Sequence, residues 1–209
     1  MTRPLFNKAI KMPNRPLTRV LSAIVLGLVA GSAQAHTGHG ASGFFEGLSH
    51  PFGLDHLLAM VAVGIWSVSA LPAQKVGAGP ATFLASLLLG AALGAIGVTV
   101  PYLENMVSLS VLVFGAMLVL APVSMTPQWG LPLIALGAVL HGLAHGSESP
   151  ESGFAAYAAG FFLTTAALHG GGVMAAVGLR RWLPNLSGRI TAFLGILFGG
   201  TGLYLFSQI

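Results

Sequence analysis

The sequence predicts an all-α, polytopic membrane protein: six transmembrane helices after a cleavable N-terminal signal peptide. Three observations carry this expectation. Of 209 residues, 55% are hydrophobic and only 7% charged, and the mean hydropathy is +0.83, well outside the range of ordinary soluble domains. Apolar segments of spanning length recur with only brief connections between them, leaving no room for a soluble domain. Basic residues are sorted into alternate connections, as the positive-inside rule requires.

The first element in the chain is the expected signal peptide, residues 1–35. Five of the nine basic residues (Arg3, Lys8, Lys11, Arg15 and Arg19) lie before residue 20. The apolar core "VLSAIVLGLVA" follows from Val20 to Ala30, and then "AQA" at Ala33–Ala35, a small-x-small cleavage pattern. The basic region is long, and a start at Met12 would leave a more ordinary signal. The sequence pI of about 10.0 belongs to this segment. Cleavage after Ala35 leaves four basic residues (Lys75, Arg180, Arg181, Arg189) against five acidic ones, a net charge of −1 with histidine neutral. Composition therefore argues against a nucleic-acid partner and for a lipid bilayer.

Residues 36–50 read as a periplasmic, histidine-containing leader that opens His36-Thr37-Gly38-His39. A free α-amine beside an imidazole chelates Ni²⁺ or Cu²⁺, so His36 and His39 can collect metal at the entrance; a disordered polar leader is the competing reading.

Residues 51–209 then supply six spans, Pro51–Leu71, Pro80–Pro101, Asn105–Val123, Gly130–His145, Phe154–Leu179 and Gly188–Phe206, the fourth being the shortest. With an exported N-terminus, Lys75, Arg180, Arg181 and Arg189 all fall in cytoplasmic connections, while Glu104, Glu148 and Glu151 fall outside. The expected location is a bacterial inner membrane, with both mature termini periplasmic. Small-xxx-small spacings at Gly90/Gly94 and Gly195/Gly199 are expected to let helix backbones approach closely, and a homo-oligomer is compatible with the sequence. Three spans followed by three would give halves of opposite topology, the arrangement of an inverted repeat.

The stretch "HPFGLDHLLAM", His50 to Met60, places charge at the head of an apolar run. A carboxylate at bilayer depth costs about 2.5–3.5 kcal/mol even on insertion scales, so something must hold or use it. Pro51 can open the first helix, which sets Asp55 and His56 about one turn inside the outer boundary, with Met60 on the face of His56. In the fourth span "HGLAHGSE" sets His141, His145 and Glu148 at i, i+4 and i+7, one stripe if the helix persists. Two polar stripes thus meet at similar depth. With no cysteine in the chain, a metal must be held by nitrogen, oxygen or thioether, a set that suits Ni²⁺, Co²⁺ or Zn²⁺. The bland alternative is that each histidine bonds a nearby backbone carbonyl. His169, some fifteen residues into the fifth span in "AALHGGG", reads equally as a deeper relay site or as a helix–helix hydrogen bond.

These residues resemble the HupE/UreJ family of nickel and cobalt permeases over essentially the whole mature chain. The family's His-Pro…Gly-x-Asp-His-x-x-x-Met signature is matched by His50, Pro51, Gly53, Asp55, His56 and Met60. Its "HGxAHGxExP" element is matched from His141 to Pro150, its "TxxLHxxG" element by Thr165, His169 and Gly172, and its "HTG"-like start by His36–Gly38. One departure is visible: the family pattern sets one more residue between the His-Pro pair and the glycine. That deletion would rotate His50 by about 100° relative to Asp55 if both were helical, so helix geometry supports His50 least as a ligand. The resemblance implies a secondary, non-enzymatic permease that takes up Ni²⁺, or Co²⁺, for a hydrogenase or urease, with the ion as transported substrate and not as cofactor.

On that reading the ion is collected by His36, His39 and Glu148, desolvated by Asp55, His56, His141 and His145, with His50 beside them, and passed inward along His169. Two other readings use the same residues. An intramembrane zinc hydrolase would hold Zn²⁺ with the His-x-x-x-His pair and a carboxylate, but short connections shelter no lipid head group. A haem-binding electron carrier would pair histidines across helices, but gives the carboxylates no role.

Overall fold

A computed structural model describes residues 43–122, 127–148 and 153–209. The expected signal peptide and His36 and His39 lie outside these residues. All described residues belong to one unit of the chain, Gly38–Ile209, and among them every regular element is helical.

The first span is not one helix. Gly43–Ser49 forms α1, His50–Phe52 a 3₁₀ turn and Leu54–Ala70 α2, and the two arms meet at 73°. The local cause lies in two residues. Pro51 has no N–H to continue a helical ladder, and Gly53 takes an extended ψ of 139°. Gly53 N still donates to His50 O at 3.2 Å, and Leu57 N to Gly53 O at 2.9 Å, so α2 starts afresh beyond the break. Its 17 residues rise only about 25 Å, short of the roughly 30 Å hydrocarbon core, so α1 and the turn complete the crossing. The segment 43–49, expected as the end of a polar leader, is thus a packed helix.

The remaining spans follow the expected order with small shifts at their ends. They are α3 (Ala78–Ala95), α4 (Leu103–Leu120), α5 (Pro127–Ser147), α6 (Phe154–Trp182) and α7 (Ser187–Phe206). Five of these helices are long and apolar enough to cross a membrane, or six spans if the bent pair counts as one. The fourth span, expected to be shortest, runs to 21 residues.

α2 lies at the centre of the bundle, packed on α3, α4, α6 and α7, and it is buried nearly all round from Leu58 to Val68. A helix apolar on every face needs neighbours on every face. Because lipid is as apolar as leucine, those neighbours are held by close packing. α3 and α5 press together where Gly90 and Gly94 meet Gly142 and Gly146, and α4 and α7 where Gly115 meets Gly195 and Gly199. A Cβ on Gly142 would run into the Leu87 carbonyl. Both expected glycine pairs therefore serve helix packing within the chain.

The charges divide between the two ends. Arg180 donates to the Ser69 carbonyl at 3.3 Å, tying the ends of α6 and α2. At the opposite end His50 Nε2 lies 3.1 Å from Glu148 Oε2, tying the 3₁₀ turn to the end of α5.

Candidate metal site

The break in the first span carries the site. Where one continuous helix would turn His50 away from Asp55, the 73° bend redirects it. Its ring centroid lies 4.6 Å from that of His145 and 5.7 Å from that of His56. His50, His56 and His145 each offer a ligand nitrogen, and the three nitrogens lie within 4.8 Å of one another. Two nitrogens bound to one ion at about 2.1 Å can be at most about 4.2 Å apart. Small side-chain rotations close that gap.

α5 supplies the second wall. His141 and His145, one turn apart, both face His56, with centroids 4.6 and 4.8 Å away and rings nearly perpendicular to it. The helix holds its register to Glu148, whose N–H donates to Ala144 O at 3.1 Å, so the i, i+4, i+7 stripe of the sequence survives. The Glu148 carboxyl is drawn below its ordinary value by the hydrogen bond from His50, which outweighs the upward push of partial burial.

Hydrogen bonds fix which nitrogen each ring presents. Asp55 Oδ1 accepts from the His56 ring Nδ1 and from the His56 backbone N–H, both at 2.8 Å, so His56 presents Nε2. Asp55 thus stands behind His56, orienting it, outside the three-nitrogen group. Carboxylates behind metal-binding histidines commonly hold this position. Ser110 Oγ gives its proton to Val107 O at 2.6 Å and therefore accepts from His141 Nε2 at 2.9 Å, leaving Nδ1 as the lone-pair nitrogen of His141. In both rings that nitrogen is buried without a hydrogen-bond partner, as are both nitrogens of His145. A buried polar atom left unpaired costs about 1–3 kcal/mol, so a cluster of them marks a place built for a ligand.

His169 stands apart from this cluster. Its Nδ1 donates to Thr165 O at 2.7 Å, a bond within its own helix and not the helix–helix bond that was one of the two expected uses, and its Nε2 is buried and unpartnered. Met60 is fully buried in the core.

Three participants were not expected from the sequence. Ser110 orients His141; its only signal was a hydroxyl inside an otherwise apolar helix. Phe161 stacks on His145 at 4.5 Å with an interplanar angle of 12°. Tyr157 lies 5.8 Å from His50, and its spacing of four from Phe161 was the available clue.

The fold and these contacts define a multi-pass membrane protein with a buried, multi-helix histidine cluster near one end of its bundle. The model of the family described as HupE / UreJ protein matches residues 24–205. The chain is also 37% identical over 155 residues to Protein HupE of Rhizobium leguminosarum bv. viciae, covering 73% of this chain and 78% of that protein. No solved structure matches. The chain belongs to the HupE/UreJ family, which is linked to nickel and cobalt transport.

Proposed function

We propose that this protein is a permease that takes up Ni²⁺, and competitively Co²⁺, across the bacterial inner membrane, and that the ion supplies hydrogenase or urease maturation. The convergence of His50, His56 and His145 within 4.8 Å is the observation that carries this reading, with His141 as a fourth imidazole against His56. Borderline divalent ions favour imidazole, and geometry rather than raw affinity selects among them.

The histidine end faces the periplasm in this reading, because the opposite end holds Lys75, Arg180, Arg181 and Arg189. On the same reading, cleavage after Ala35 would leave His36 and His39, which lie outside the described residues, in a leader on the outer side. The ion exchanges water for neutral imidazoles, which bind strongly enough to replace hydration yet release more readily than a cage of carboxylates. Asp55 and Ser110 set the lone pairs that receive it, and His169 is the inner station. The zinc-hydrolase alternative has no observation in its favour that the permease does not share.

The test is accumulation of ⁶³Ni²⁺ in cells producing the wild-type chain or His56→Ala, with Co²⁺ and Zn²⁺ as competitors. Uptake that needs His56 and yields to Co²⁺ is the expected result. Equal accumulation in both strains would remove the assignment.

A further inference from the structure

One aromatic side chain lies against both His141 of the outer group and His169. Phe83, on α3, is fully buried. Its ring lies 5.9 Å from that of His141 and 4.7 Å from that of His169. Among the ring contacts of the described residues, His169 meets Phe83 and none of the other histidines.

Depth agrees with this order. His141 lies six residues before the end of α5, about 9 Å of helical rise, and His169 fifteen residues after the start of α6, about 22 Å. α3 and α5 run parallel with Gly90 against Gly142, so Phe83, seven residues earlier on α3, falls between these two levels. The two rings that flank Phe83 ask for a polar ligand: His141 Nδ1 and His169 Nε2 are both buried without a partner. An aromatic ring has nothing to offer them. A hydrated dication cannot share this space with the ring, so passage between the two polar groups requires the ring to move. Constrictions of this apolar kind gate by excluding water.

We propose that Phe83 is the gate of this permease, an aromatic partition that separates the outer histidine cluster from His169 and must swing aside for an ion to pass. The proposal rests on the permease reading for its purpose, but the barrier itself can be tested without any metal.

The chain contains no cysteine, so a single His169→Cys substitution gives a unique thiol at the inner station. Intact cells are exposed to a membrane-impermeant, cationic methanethiosulfonate, and the rate of thiol modification is read by mass shift. With Phe83 present, modification is expected to be slow. Adding Phe83→Ala is expected to raise the rate at least about tenfold, and Phe83→Leu, which keeps more of the packing volume, at least about threefold.

Phe114→Ala is the control. This neighbouring ring lies 6.4 Å from Phe83, and its loss should leave the rate unchanged if the barrier is specific. Fast modification with Phe83 intact, no acceleration in either Phe83 variant, or equal acceleration by Phe114→Ala would each overturn the proposal. Loss of His56-dependent ⁶³Ni²⁺ uptake, by contrast, bears on the transport reading and leaves the labelling result to judge the gate.

Discussion

Ser110 Oγ lies 2.9 Å from His141 Nε2 while donating its proton to the Val107 carbonyl, so a hydroxyl on α4 decides which nitrogen a histidine on α5 turns toward its neighbours. Ser110→Ala removes that decision without removing a ligand. Metal affinity of the purified protein is expected to fall about 10- to 100-fold, the usual effect of losing an orienting partner. Titration calorimetry with Ni²⁺ checks this, and an unchanged affinity would place His141 outside the site.

Asp55 plays the corresponding part for His56. Asp55→Asn keeps the volume but lets an amide donate where a carboxylate accepted, so the ring is free to present its protonated nitrogen. Uptake is expected to drop at least about tenfold, with folding unaffected by size-exclusion chromatography. Wild-type uptake in this variant would contradict the orienting role.

His145→Phe separates binding from stability. The stack on Phe161 accepts either ring, and the substitution removes two buried nitrogens that have no hydrogen-bond partner. Ni²⁺ binding is expected to be lost while the melting temperature holds or rises, since each unpaired buried group costs about 1–3 kcal/mol. A marked fall in melting temperature would show that the nitrogens are satisfied within the fold.

Acid should inhibit uptake through the imidazoles and not through Glu148. Protons compete with metal for the same ring nitrogens, so initial rates at a fixed Ni²⁺ concentration are expected to fall as the external medium is acidified. The Glu148 carboxyl titrates below its ordinary 4.5. Its bond to His50 is therefore complete above that value and lost only as pH drops through the lowered one. Glu148→Gln should reduce uptake at every pH above that value, where the wild-type carboxylate is ionised; wild-type uptake in this variant would remove Glu148 from the ion's path.

Gly142→Ala tests the seam between α3 and α5. The added methyl would strike the Leu87 carbonyl and the Ala91 backbone, which can yield only if the helices part. A loss of about 1–3 kcal/mol is expected, seen as a lower melting temperature in detergent. An unchanged value would mean that the helices can move apart at little cost.

The composition and the spacing of apolar runs were enough to read a helical membrane protein, one with five or six candidate spans in the structure, because hydrocarbon tolerates little else as a crossing element. The i, i+4, i+7 spacing of His141, His145 and Glu148 was equally legible, since a helix maps that spacing onto one face whatever surrounds it. The placement of His50 and the bond between Asp55 and His56 were not. Counting residues along a helix turned His50 away, but the chain bends by 73° between α1 and α2, and this bend brings His50 beside His145. Asp55 read as a ligand; what the sequence did not show is that its Oδ1 accepts from both the ring and the backbone of its neighbour His56. Ser110 and Phe83 meet the histidines only through packing between helices. Periodicity belongs to one helix at a time and can be read from the chain; which side chains share a space depends on how α2, α3, α4, α5 and α6 settle against one another, and contacts among many residues distant in sequence fix that arrangement.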